Sequence, residues 1–553
     1  MVQYRDIEID ELGGSSALPP GWSRGNSTAH QEPSNVLASY NDQTLRRDAA
    51  RFAIDQLDMD NNSADFNNFI RAAFVARDID IYYAVARGIL RYERGNLNVD
   101  LNDDEKEAIR NEKDKLFSER GITMVNLAVS LAAILQGHVQ SSINGASLYA
   151  SKLGIDDSDV VGTSAPQWLL GAVNAAPFFT AAALGCWLAL PVNNHLGRRG
   201  GMMVSAVLIL ITSLIAGLAV LILEKEDRWK LLFGVRIVNG IGMGIKAVST
   251  PILASETAIR FWRGSFVLAW QLWVSFGIMI GFGFNLIFAT AVYSVYGTGN
   301  EELTVSLILG APLIFAAAML GAVWKCTESP RYYMRSGRLK YDPKTAYEKL
   351  KKLRSCKLLA MKDIYLLHKT IEQESKEIGI GFSEDSVFTK FGQLFTRRRL
   401  RNALISTSVV NLAQQLCGIN VSAFYSGDFF FSVLPKGDGN GGNDGNNQEA
   451  QDRYKSLIVA MAFSLGFGAV NFLFGLPAFK TIDTLGRRKW LTWTLPLMSF
   501  FMFAGAMSFP IPWNSEPNHN TARMVAIWLY FHAAVYSPGL GTLPLFRSLQ
   551  RAG

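Results

Sequence analysis

The stretch that decides the fold occurs twice: Asn194-His195-Leu196-Gly197-Arg198-Arg199 and, 289 residues later, Asp483-Thr484-Leu485-Gly486-Arg487-Arg488. Each copy lies between two long apolar segments and closes a short turn with Gly-Arg-Arg. A turn repeated in this way predicts two related membrane halves built on one plan. Repeated halves of this kind are typical of secondary transporters.

Long apolar runs account for most of the chain after its first 120 residues. Of the 553 residues, 49% are hydrophobic and only 18% are charged. A helix needs about 20 mostly apolar residues to cross a bilayer. Ten segments meet this requirement and predict an all-α, multi-pass membrane protein: 121–144, 166–190, 201–223, 230–253, 266–290, 303–325, 403–432, 456–478, 489–511 and 522–546.

Basic residues are concentrated in alternate connections between the predicted spans. The net charge is +7, and the densest set of basic residues runs from Arg331 to Arg401, between spans 6 and 7. Lys and Arg accumulate on the cytoplasmic side of membrane proteins, so these connections and the N-terminus are predicted to be cytoplasmic. Topology therefore explains the charge, and we expect no nucleic-acid partner. The opening residues lack the apolar core of a signal peptide, and the positions of the four cysteines predict no structural disulfide.

The predicted spans divide the chain into five parts. These are a cytoplasmic N-terminal region at 1–120, a six-helix half at 121–326, a cytoplasmic helical linker at 327–400, a four-span half at 401–546 and a short tail at 547–553. In the N-terminal region, apolar residues recur at helical spacing from Asp65 to Val75. We expect short, weakly packed helices there. A solubilising spacer and a regulatory or docking segment are both compatible with this region.

The fourth predicted span combines one arginine with three closely spaced glycines, Arg236, Gly240, Gly242 and Gly244. Small residues let neighbouring helices approach closely inside a membrane, so the glycines predict helix packing. A charge in the middle of a span costs about 3 kcal/mol or more unless it is paired or hydrated. We therefore expect Arg236 to face the interior of the bundle.

The seventh predicted span is too polar for a lipid-facing helix, because Gln414, Gln415 and Asn420 fall within seven residues. Residues at this spacing can share one broad helix face. An amide has both N–H donors and an oxygen acceptor, and this combination matches a neutral, hydroxyl-rich ligand better than a carboxylate or an ammonium group would.

Taken together, these motifs resemble the sugar porter family of the major facilitator superfamily, and several stretches are similar to its fungal members. The resemblance covers residues 121–544. It is carried by the two Gly-Arg-Arg turns, the Arg-x-x-x-Gly-x-Gly-x-Gly pattern of span 4, Glu328-Ser329-Pro330-Arg331 after span 6, and the Gln-Gln-x-x-Gly-x-Asn-x-x-x-Tyr pattern of span 7. It implies the major facilitator fold, with two helical-bundle halves and a substrate cleft that opens alternately to either side.

The resemblance also implies two groups of functional residues. The side chains that hold sugar hydroxyls in the family correspond here to Gln271, Gln414, Gln415, Asn420 and Asn471. The alternative role of each is a hydrogen bond between helices. The cytoplasmic gate of charged and polar groups corresponds to Asn194, Arg198, Arg199, Arg236, Glu256, Arg263, Glu328, Arg331, Asp483, Arg487 and Arg488. Positive-inside anchoring explains these arginines equally well.

Two positions in the first half depart from the family pattern. Val139 stands where proton-coupled relatives carry an Asp that pairs with the arginine of span 4. We therefore hypothesise facilitative rather than proton-driven transport, with His138 as an alternative proton carrier or as a polar packing residue. Asn194 stands where the family usually has Asp, so the ionic part of the gate is lost there. The predicted consequence is that Asn194→Asp slows opening to the inside.

The third departure is at the C-terminal end of the chain. Span 10 ends in Tyr536-Ser537-Pro538-Gly539-Leu540-Gly541-Thr542-Leu543-Pro544. The aromatic residue, the Ser-x-Glu and the two further spans that follow in the family are missing. Six spans in one half and four in the other would expose part of the second half to lipid. We therefore expect a shortened product or gene model rather than a ten-span design.

These features predict a transporter of a monosaccharide (hexose or pentose) or a polyol that works by alternating access. It is expected to be a monomer in the lipid bilayer of the plasma membrane. No catalytic residue, cofactor or metal is predicted, because the sequence lacks the His-Glu-x-x-His, phosphate-loop and paired-cysteine motifs. A non-transporting sugar sensor and an inactive shortened transporter are the alternatives. Removal of residues 1–110 should leave uptake largely intact in a transporter and abolish signalling in a sensor.

Overall fold

The computed structural model describes residues 36–89, 99–115, 119–155, 165–259, 262–335, 341–378, 392, 395–434, 445–477, 487–508 and 519–541. Within these ranges the regular secondary structure is helical and contains no β-strand, which confirms the predicted all-α class. The chain forms two compact units. The linker unit comprises Met1–Arg120 with Pro330–Glu384, and the transmembrane unit comprises Gly121–Ser329 with Asp385–Gly553.

The linker unit is built from helices of the N-terminal region and of the predicted linker. Its described helices are α1 (Asp42–Asp55), α2 (Ala64–Arg77), α3 (Ile79–Ala86), α4 (Asp103–Asp114), α13 (Pro330–Tyr333), α14 (Pro343–Leu353) and α15 (Lys357–Ile378).

Polar residues at their N-termini set where several of these helices begin. The Ser63 side chain accepts a hydrogen bond from the Phe66 N–H at 3.1 Å and caps α2. Asn102 and Glu105 form a reciprocal capping box at the start of α4, and Asp342 caps α14. Each such cap satisfies a backbone N–H that has no partner within the helix, and is worth about 1 kcal/mol.

The core of the linker unit joins α1 and α2 to α15, although these helices are about 300 residues apart in sequence. Phe52, Phe69 and Tyr365 are buried, and their ring centroids lie 5.9–6.3 Å apart. The expectation of weakly packed helices in residues 1–120 is therefore wrong. The apolar faces of the N-terminal helices are covered by a segment far along the chain, and a local sequence pattern does not reveal such a partner.

A buried charge network crosses the same core. Lys362 Nζ lies 2.9 Å from both carboxylate oxygens of Glu112, and both residues are only 3% exposed. Glu112 also accepts the hydroxyl of Tyr83 at 3.0 Å. Burial alone would lower the pKa of Lys362, but the carboxylates of Asp363 and Glu112 outweigh it and hold this pKa above its ordinary value. The ammonium group is therefore charged, and its charge is compensated inside the unit.

The first half of the transmembrane unit contains six predicted spans, all of which are helical. Its helices are α5 (Arg120–Ser147), α6 (Ala165–Thr180), α7 (Cys186–His195), α8 (Gly197–Ile222), α9 (Lys225–Thr257), α10 (Arg263–Tyr296), α11 (Glu301–Gly310) and α12 (Pro312–Lys325). A π-helical segment, Ala181–Gly185, joins α6 to α7 within the second span. Span 6 is divided into α11 and α12, with Pro312 as the first residue of α12.

The second half contains α16 (Arg398–Leu416), α17 (Ile419–Val433), α18 (Gly445–Gly475), α19 (Arg487–Met507) and α20 (His519–Tyr536). In the described part of the chain, eight helices are long and apolar enough to cross a membrane. They correspond to predicted spans 1–6, 8 and 9. The segment predicted as span 7 is two helices, because Gly418 adopts a left-handed φ of 81° that interrupts the helix. α20 ends at Tyr536, two residues before Pro538.

The glycines of α9 pack as predicted. A Cβ atom on Gly240 would lie 1.9 Å from Thr180 Oγ1, and one on Gly244 would lie 2.6 Å from the carbonyl oxygen of Ala181. Both contacts are closer than real Cβ atoms allow. The absence of side chains at these two positions therefore lets α9 lie directly against the second span.

The two halves of the transmembrane unit contact each other along α10 and α18. Phe276 and Phe472 have ring centroids 5.0 Å apart, and Tyr293 stacks on Tyr454 with centroids 3.6 Å apart and an interplanar angle of 9°. A second contact joins α5 to α17. There, Asn144 Nδ2 donates to the carbonyl oxygen of Phe424 at 2.8 Å.

Candidate substrate-binding and gating sites

The helix break at Gly418 places the predicted amide side chains on either side of it. Gln414 and Gln415 lie in the last turn of α16, and Asn420 lies in the first turn of α17. Asn420 Nδ2 donates to Gln415 Oε1 at 2.5 Å. The sequence predicts a shared helix face for these groups. The structure instead brings Gln415 and Asn420 together across an interruption of the helix.

Gln414 is held by α20 rather than by its neighbours on α16. Its Nε2 donates to the hydroxyl of Tyr536 at 3.0 Å and to the carbonyl oxygen of Leu540 at 3.4 Å. Tyr536 is buried. The amide plane of Gln414 is therefore oriented by a side chain and a backbone group at the end of the tenth predicted span.

Asn471 lies on α18 with 4% exposure, and its Oδ1 has no hydrogen-bond partner within the described residues. Its backbone carbonyl accepts the Ser537 hydroxyl at 2.5 Å. One turn further along α18, a Cβ on Gly475 would lie 2.8 Å from Ser537 Oγ and 3.1 Å from Leu272 Cδ1. The residue that follows α20 therefore packs on α18 between Asn471 and Gly475, and α10 approaches α18 at Gly475. Gln271 is half-buried on α10 next to Leu272.

Tyr536 and Ser537 are not among the site residues predicted from the sequence. Their signal in the sequence is a polar pair immediately before Pro538 in an apolar span, and such a pair is also typical of a turn. The structure shows that they provide hydrogen bonds to helices carrying two of the predicted binding residues.

Glu328 caps the N-terminus of α8, which begins at the first Gly-Arg-Arg turn. Its carboxylate accepts the backbone N–H of Arg198 at 3.1 Å and that of Arg199 at 3.1 and 3.3 Å. Gly197 has a φ of 81°, and a Cβ there would lie 2.2 Å from Glu328 Oε2. Anions are stabilised at helix N-termini by the free N–H groups and the helix dipole. The glycine of the turn is therefore required both for its backbone conformation and to admit the carboxylate.

The side chain of Arg198 forms an ion pair in the same cluster. Its Nη2 lies 2.8 Å from Glu256 Oε1, and both side chains are nearly buried. Ser329 Oγ donates to the other oxygen of Glu256 at 2.5 Å. Burial raises the pKa of Glu328, while the backbone N–H groups of Ser329, Arg199 and Arg198 oppose that rise. The cluster thus joins the start of α8, the end of α9 and the segment after α12.

The remaining gate candidates lie in different surroundings. Arg199 donates to the carbonyl oxygens of Val323 and Trp324 at 3.0 and 2.7 Å. Asn194 is exposed, whereas its neighbour Asn193 is buried and accepts the hydroxyl of Ser249 at 2.8 Å.

Five further gate candidates remain to be located. Arg263 is exposed at the first residue of α10. Arg331 belongs to the linker unit, where it pairs with Glu374. Asp483 lies outside the described residues, as do the side chains of Arg487 and Arg488. The second Gly-Arg-Arg turn therefore remains a sequence prediction.

Arg236 is buried in the first half, as predicted, and its partner there is an amide. Its Nη1 donates to Asn174 Oδ1 at 2.6 Å, and Asn174 Nδ2 donates in turn to Ser147 Oγ at 2.9 Å. The Nη2 of Arg236 has no hydrogen bond within the part of the chain that the structure describes. This chain of hydrogen bonds joins α9, α6 and α5, and Asn174 is not among the residues predicted from the sequence.

His138, the residue next to Val139, has aromatic neighbours. Val139 is buried, and the adjacent His138 is fully buried with its ring centroid 4.8 Å from that of Phe315 and 5.4 Å from that of Phe284. Neither ring nitrogen of His138 has a hydrogen-bond partner within the described ranges. This geometry favours the packing role of His138 over the proton-carrying one.

Two contacting helical halves, with an interrupted polar helix at the start of the second, form a multi-pass membrane fold. The fold is similar to that of the xylose transporter XylE from E. coli in a partially occluded, inward-open conformation, with a TM-score of 0.59 and 19% identity over 78% of this chain and 87% of that chain. XylE described as a proton:xylose symporter bound to 6-bromo-6-deoxy-D-glucose gives a TM-score of 0.58 at 20% identity, over 78% of this chain and 82% of that chain.

Sequence comparison agrees with the fold. The family model "Sugar (and other) transporter" matches residues 124–548, and the chain belongs to this family. It is 28% identical to hexose transporter HXT8 of Saccharomyces cerevisiae over 57% of this chain and 47% of that protein. It is 26% identical to myo-inositol transporter FST1 of Gibberella moniliformis over 66% of this chain and 55% of that protein. The chain therefore spans about half the length of the curated relatives it matches.

Proposed function

We propose that this protein moves a monosaccharide or a polyol across a membrane by alternating access, with no covalent chemistry. The observation that carries the proposal is the set of amides at the interrupted helix, where Gln414 is oriented by Tyr536 and Gln415 pairs with Asn420. Family membership and relatives named as hexose, inositol and xylose transporters support the substrate class.

The amide groups suit a ligand that is both donor and acceptor. Each sugar hydroxyl can donate one hydrogen bond and accept others. It can therefore replace the hydrogen bond between Gln415 and Asn420 and leave neither the amide donor nor the amide acceptor without a partner. Asn471 Oδ1 is buried without a partner in the described structure and would accept a hydrogen bond from a sugar hydroxyl. Because a buried unsatisfied acceptor costs about 1–3 kcal/mol, a ligand that fills this position recovers that free energy on binding.

The interrupted helix also provides a movable element. α17 is joined to α16 only through Cys417 and Gly418, so it can tilt without unfolding α16. Hinges of this kind absorb the dihedral change in domain motions. In the present conformation α17 is tied to α5 by Asn144, which also donates to Ser426 Oγ at 3.2 Å. Release of this tie would open the cleft on the side where α5 ends.

On the other side of the membrane, the cluster of Arg198, Glu256 and Glu328 supports a gating role. It connects α8, α9 and the segment after α12 through buried, charge-assisted hydrogen bonds, which are roughly twice as strong as neutral ones. We place this gate on the cytoplasmic side, with the N-terminus, on the basis of the positive-inside distribution of charge.

Transport in this proposal is facilitative. Val139 provides no proton-binding group, and Arg236 is bound by the neutral oxygen of Asn174. If uptake accumulated the sugar against its gradient and the gradient collapsed with a protonophore, the facilitative proposal would be refuted. The protein is further proposed to act as a monomer in the plasma membrane. Size-exclusion chromatography with light scattering and surface biotinylation test these two points.

Sugar uptake tests the proposed function directly. The chain would be expressed in cells that lack their own hexose carriers, and uptake of labelled glucose, xylose and myo-inositol would be measured at matched surface level. We expect saturable uptake of at least one of these sugars, loss of it in the Gln414→Ala/Gln415→Ala double variant, and retention in Ser432→Ala, an exposed position on α17. Absence of uptake of all three at normal surface level would contradict the proposal and favour a sugar sensor.

A further inference from the structure

We propose that His532 is a positioning residue for the amide cluster: it fixes the helix break at Cys417-Gly418 and thereby sets where Gln414, Gln415 and Asn420 point. The inference deepens the proposed function and rests on it for its consequence in transport. Its structural core, the bond between His532 and the break, can be tested without transport.

The break leaves a backbone carbonyl outside both helices. The N–H of Cys417 still bonds back to Ala413, and Ser422 N–H bonds to the carbonyl oxygen of Gly418 at 3.1 Å. The carbonyl of Cys417 lies one residue before that second ladder, where a helix end leaves its acceptors without internal partners. The Nε2 of His532 lies 3.2 Å from this oxygen. A buried side chain from α20 thus satisfies the carbonyl that the break exposes.

The chemistry of the acceptor determines the tautomer. A carbonyl oxygen only accepts, so His532 must carry a proton on Nε2 and donate it. The ring has 0% exposure, and its Nδ1 has no hydrogen-bond partner within the described residues. The contact to Cys417 is therefore the one directional interaction that orients the ring within the described part of the chain.

Two parallel contacts then connect α20 to α16. His532 and Tyr536 are four residues apart on α20 and lie on one helix face. Gln414 lies in the last turn of α16, and Cys417 is the residue that follows this helix. His532 bonds to Cys417 and Tyr536 bonds to Gln414. This two-point attachment fixes both the rotation of α16 about its axis and the place at which it ends.

Loss of the His532 bond would change the geometry of the break and with it the contact between Gln415 and Asn420. Without the bond from His532, the carbonyl of Cys417 must find another donor, and the most direct one is the N–H four residues further on, which would extend the helix through the break. Such an extension would rotate Asn420 away from Gln415. An N–H donor at position 532 is therefore the property that matters, and substitutions that keep or remove it separate positioning from packing.

The reactivity of the Cys417 thiol reports on the break without any sugar. In the full chain, with Cys186, Cys326 and Cys356 replaced by Ala, the rate of alkylation by N-ethylmaleimide would be measured in detergent micelles. We expect His532→Leu to change this rate about fivefold, the factor that corresponds to one hydrogen bond, and His532→Gln to stay close to the parent. Equal rates in all three proteins would overturn the inference.

Transport kinetics give the second readout at matched surface level. The expected result is a several-fold rise in KM for the transported sugar in His532→Leu, a smaller change in maximal rate, and recovery of KM in His532→Gln. Equal loss of surface level in both variants would show that His532 only packs, and would overturn the inference. If the parent chain transports none of the three sugars, the proposed function fails. The alkylation rates of Cys417 still test whether His532 fixes the helix break.

Discussion

Asn174 accepts a hydrogen bond from the buried guanidinium of Arg236, with 2.6 Å between Oδ1 and Nη1. Asn174 is therefore a side-chain acceptor for the buried arginine. Replacing it by Leu would leave Arg236 without this acceptor, whereas Asp would supply an anion to the same nitrogen. We expect Asn174→Leu to lower the free energy of unfolding by about 1–3 kcal/mol and Asn174→Asp to be at least as stable as the wild type. Thermal unfolding in detergent measures both, and a Leu variant as stable as the wild type would show that this hydrogen bond does not matter.

The first Gly-Arg-Arg turn should not tolerate a side chain at Gly197. Its φ of 81° costs a non-glycine residue about 1–2 kcal/mol, and a Cβ would lie 2.2 Å from Glu328 Oε2. Gly197→Ala is therefore expected to destabilise the protein by more than that strain alone. The matched control is Gly321→Ala, because a Cβ at Gly321 meets no atom within 4 Å. Similar unfolding temperatures for the two variants would contradict the proposed cap.

Lys246 should be a source of instability. It is fully buried in α9, and its Nζ has no hydrogen-bond partner within the described residues. A buried ionisable group without compensation is costly in a membrane protein, because its polar N–H groups have lost their hydrogen bonds to water. We expect Lys246→Met to raise the unfolding temperature.

The control for Lys246 is Lys230→Met, an exposed residue of the same helix, which should have little effect. If Lys246→Met unfolded at a lower temperature than the wild type, Lys246 would have a stabilising partner that the protein structure alone does not reveal.

The pair of Lys362 and Glu112 should be important for the stability of the linker unit. Breaking a buried ion pair by removing one partner costs about 3–5 kcal/mol, so Glu112→Gln is expected to destabilise the full chain strongly. Glu348→Gln removes an exposed pair with Lys351 and should cost at most about 1 kcal/mol. Chemical unfolding of the two variants would be compared, and equal midpoints would contradict a buried, compensated charge network.

Removal of residues 1–110 should also destabilise the linker unit. That deletion takes away Phe52 and Phe69, which pack against Tyr365 of the linker. We expect it to reduce the amount of folded protein at the surface, whether the chain transports or senses sugar. Uptake normalised to surface level therefore has to replace total uptake in the comparison, and a deletion variant with normal surface level would show that the linker folds without these helices.

Sequence patterns predicted the parts of the molecule that local chemistry determines. Apolar length predicted ten spans, and eight of them correspond to helices in the described part of the chain that are long and apolar enough to cross a membrane. Alternate glycines predicted the close contact of α9 with a neighbouring helix, and the cost of a charge in lipid predicted the burial of Arg236. The amide cluster was predicted as a set of residue types. Its geometry was not, because the left-handed conformation of Gly418 interrupts a helical pattern that continues through it.

Local sequence patterns also did not predict the contacts between segments that are distant in the chain. Asn174 and Tyr536 are ordinary polar residues in apolar spans, and only the packed helices show that each holds a predicted functional side chain. The linker unit is a similar case, since Lys362 and Glu112 are 250 residues apart. In each of these cases the partner is chosen by tertiary packing, which neither periodicity nor spacing specifies.

The most direct test of the central claim is sugar counterflow in liposomes that contain the purified full chain. Liposomes preloaded with unlabelled sugar would be diluted into labelled sugar, with glucose, xylose and myo-inositol tested in turn. The account predicts transient accumulation of label for at least one sugar, abolished by Gln414→Ala/Gln415→Ala. No accumulation for any of them, with a protein that is folded and correctly inserted, would contradict transport by this chain.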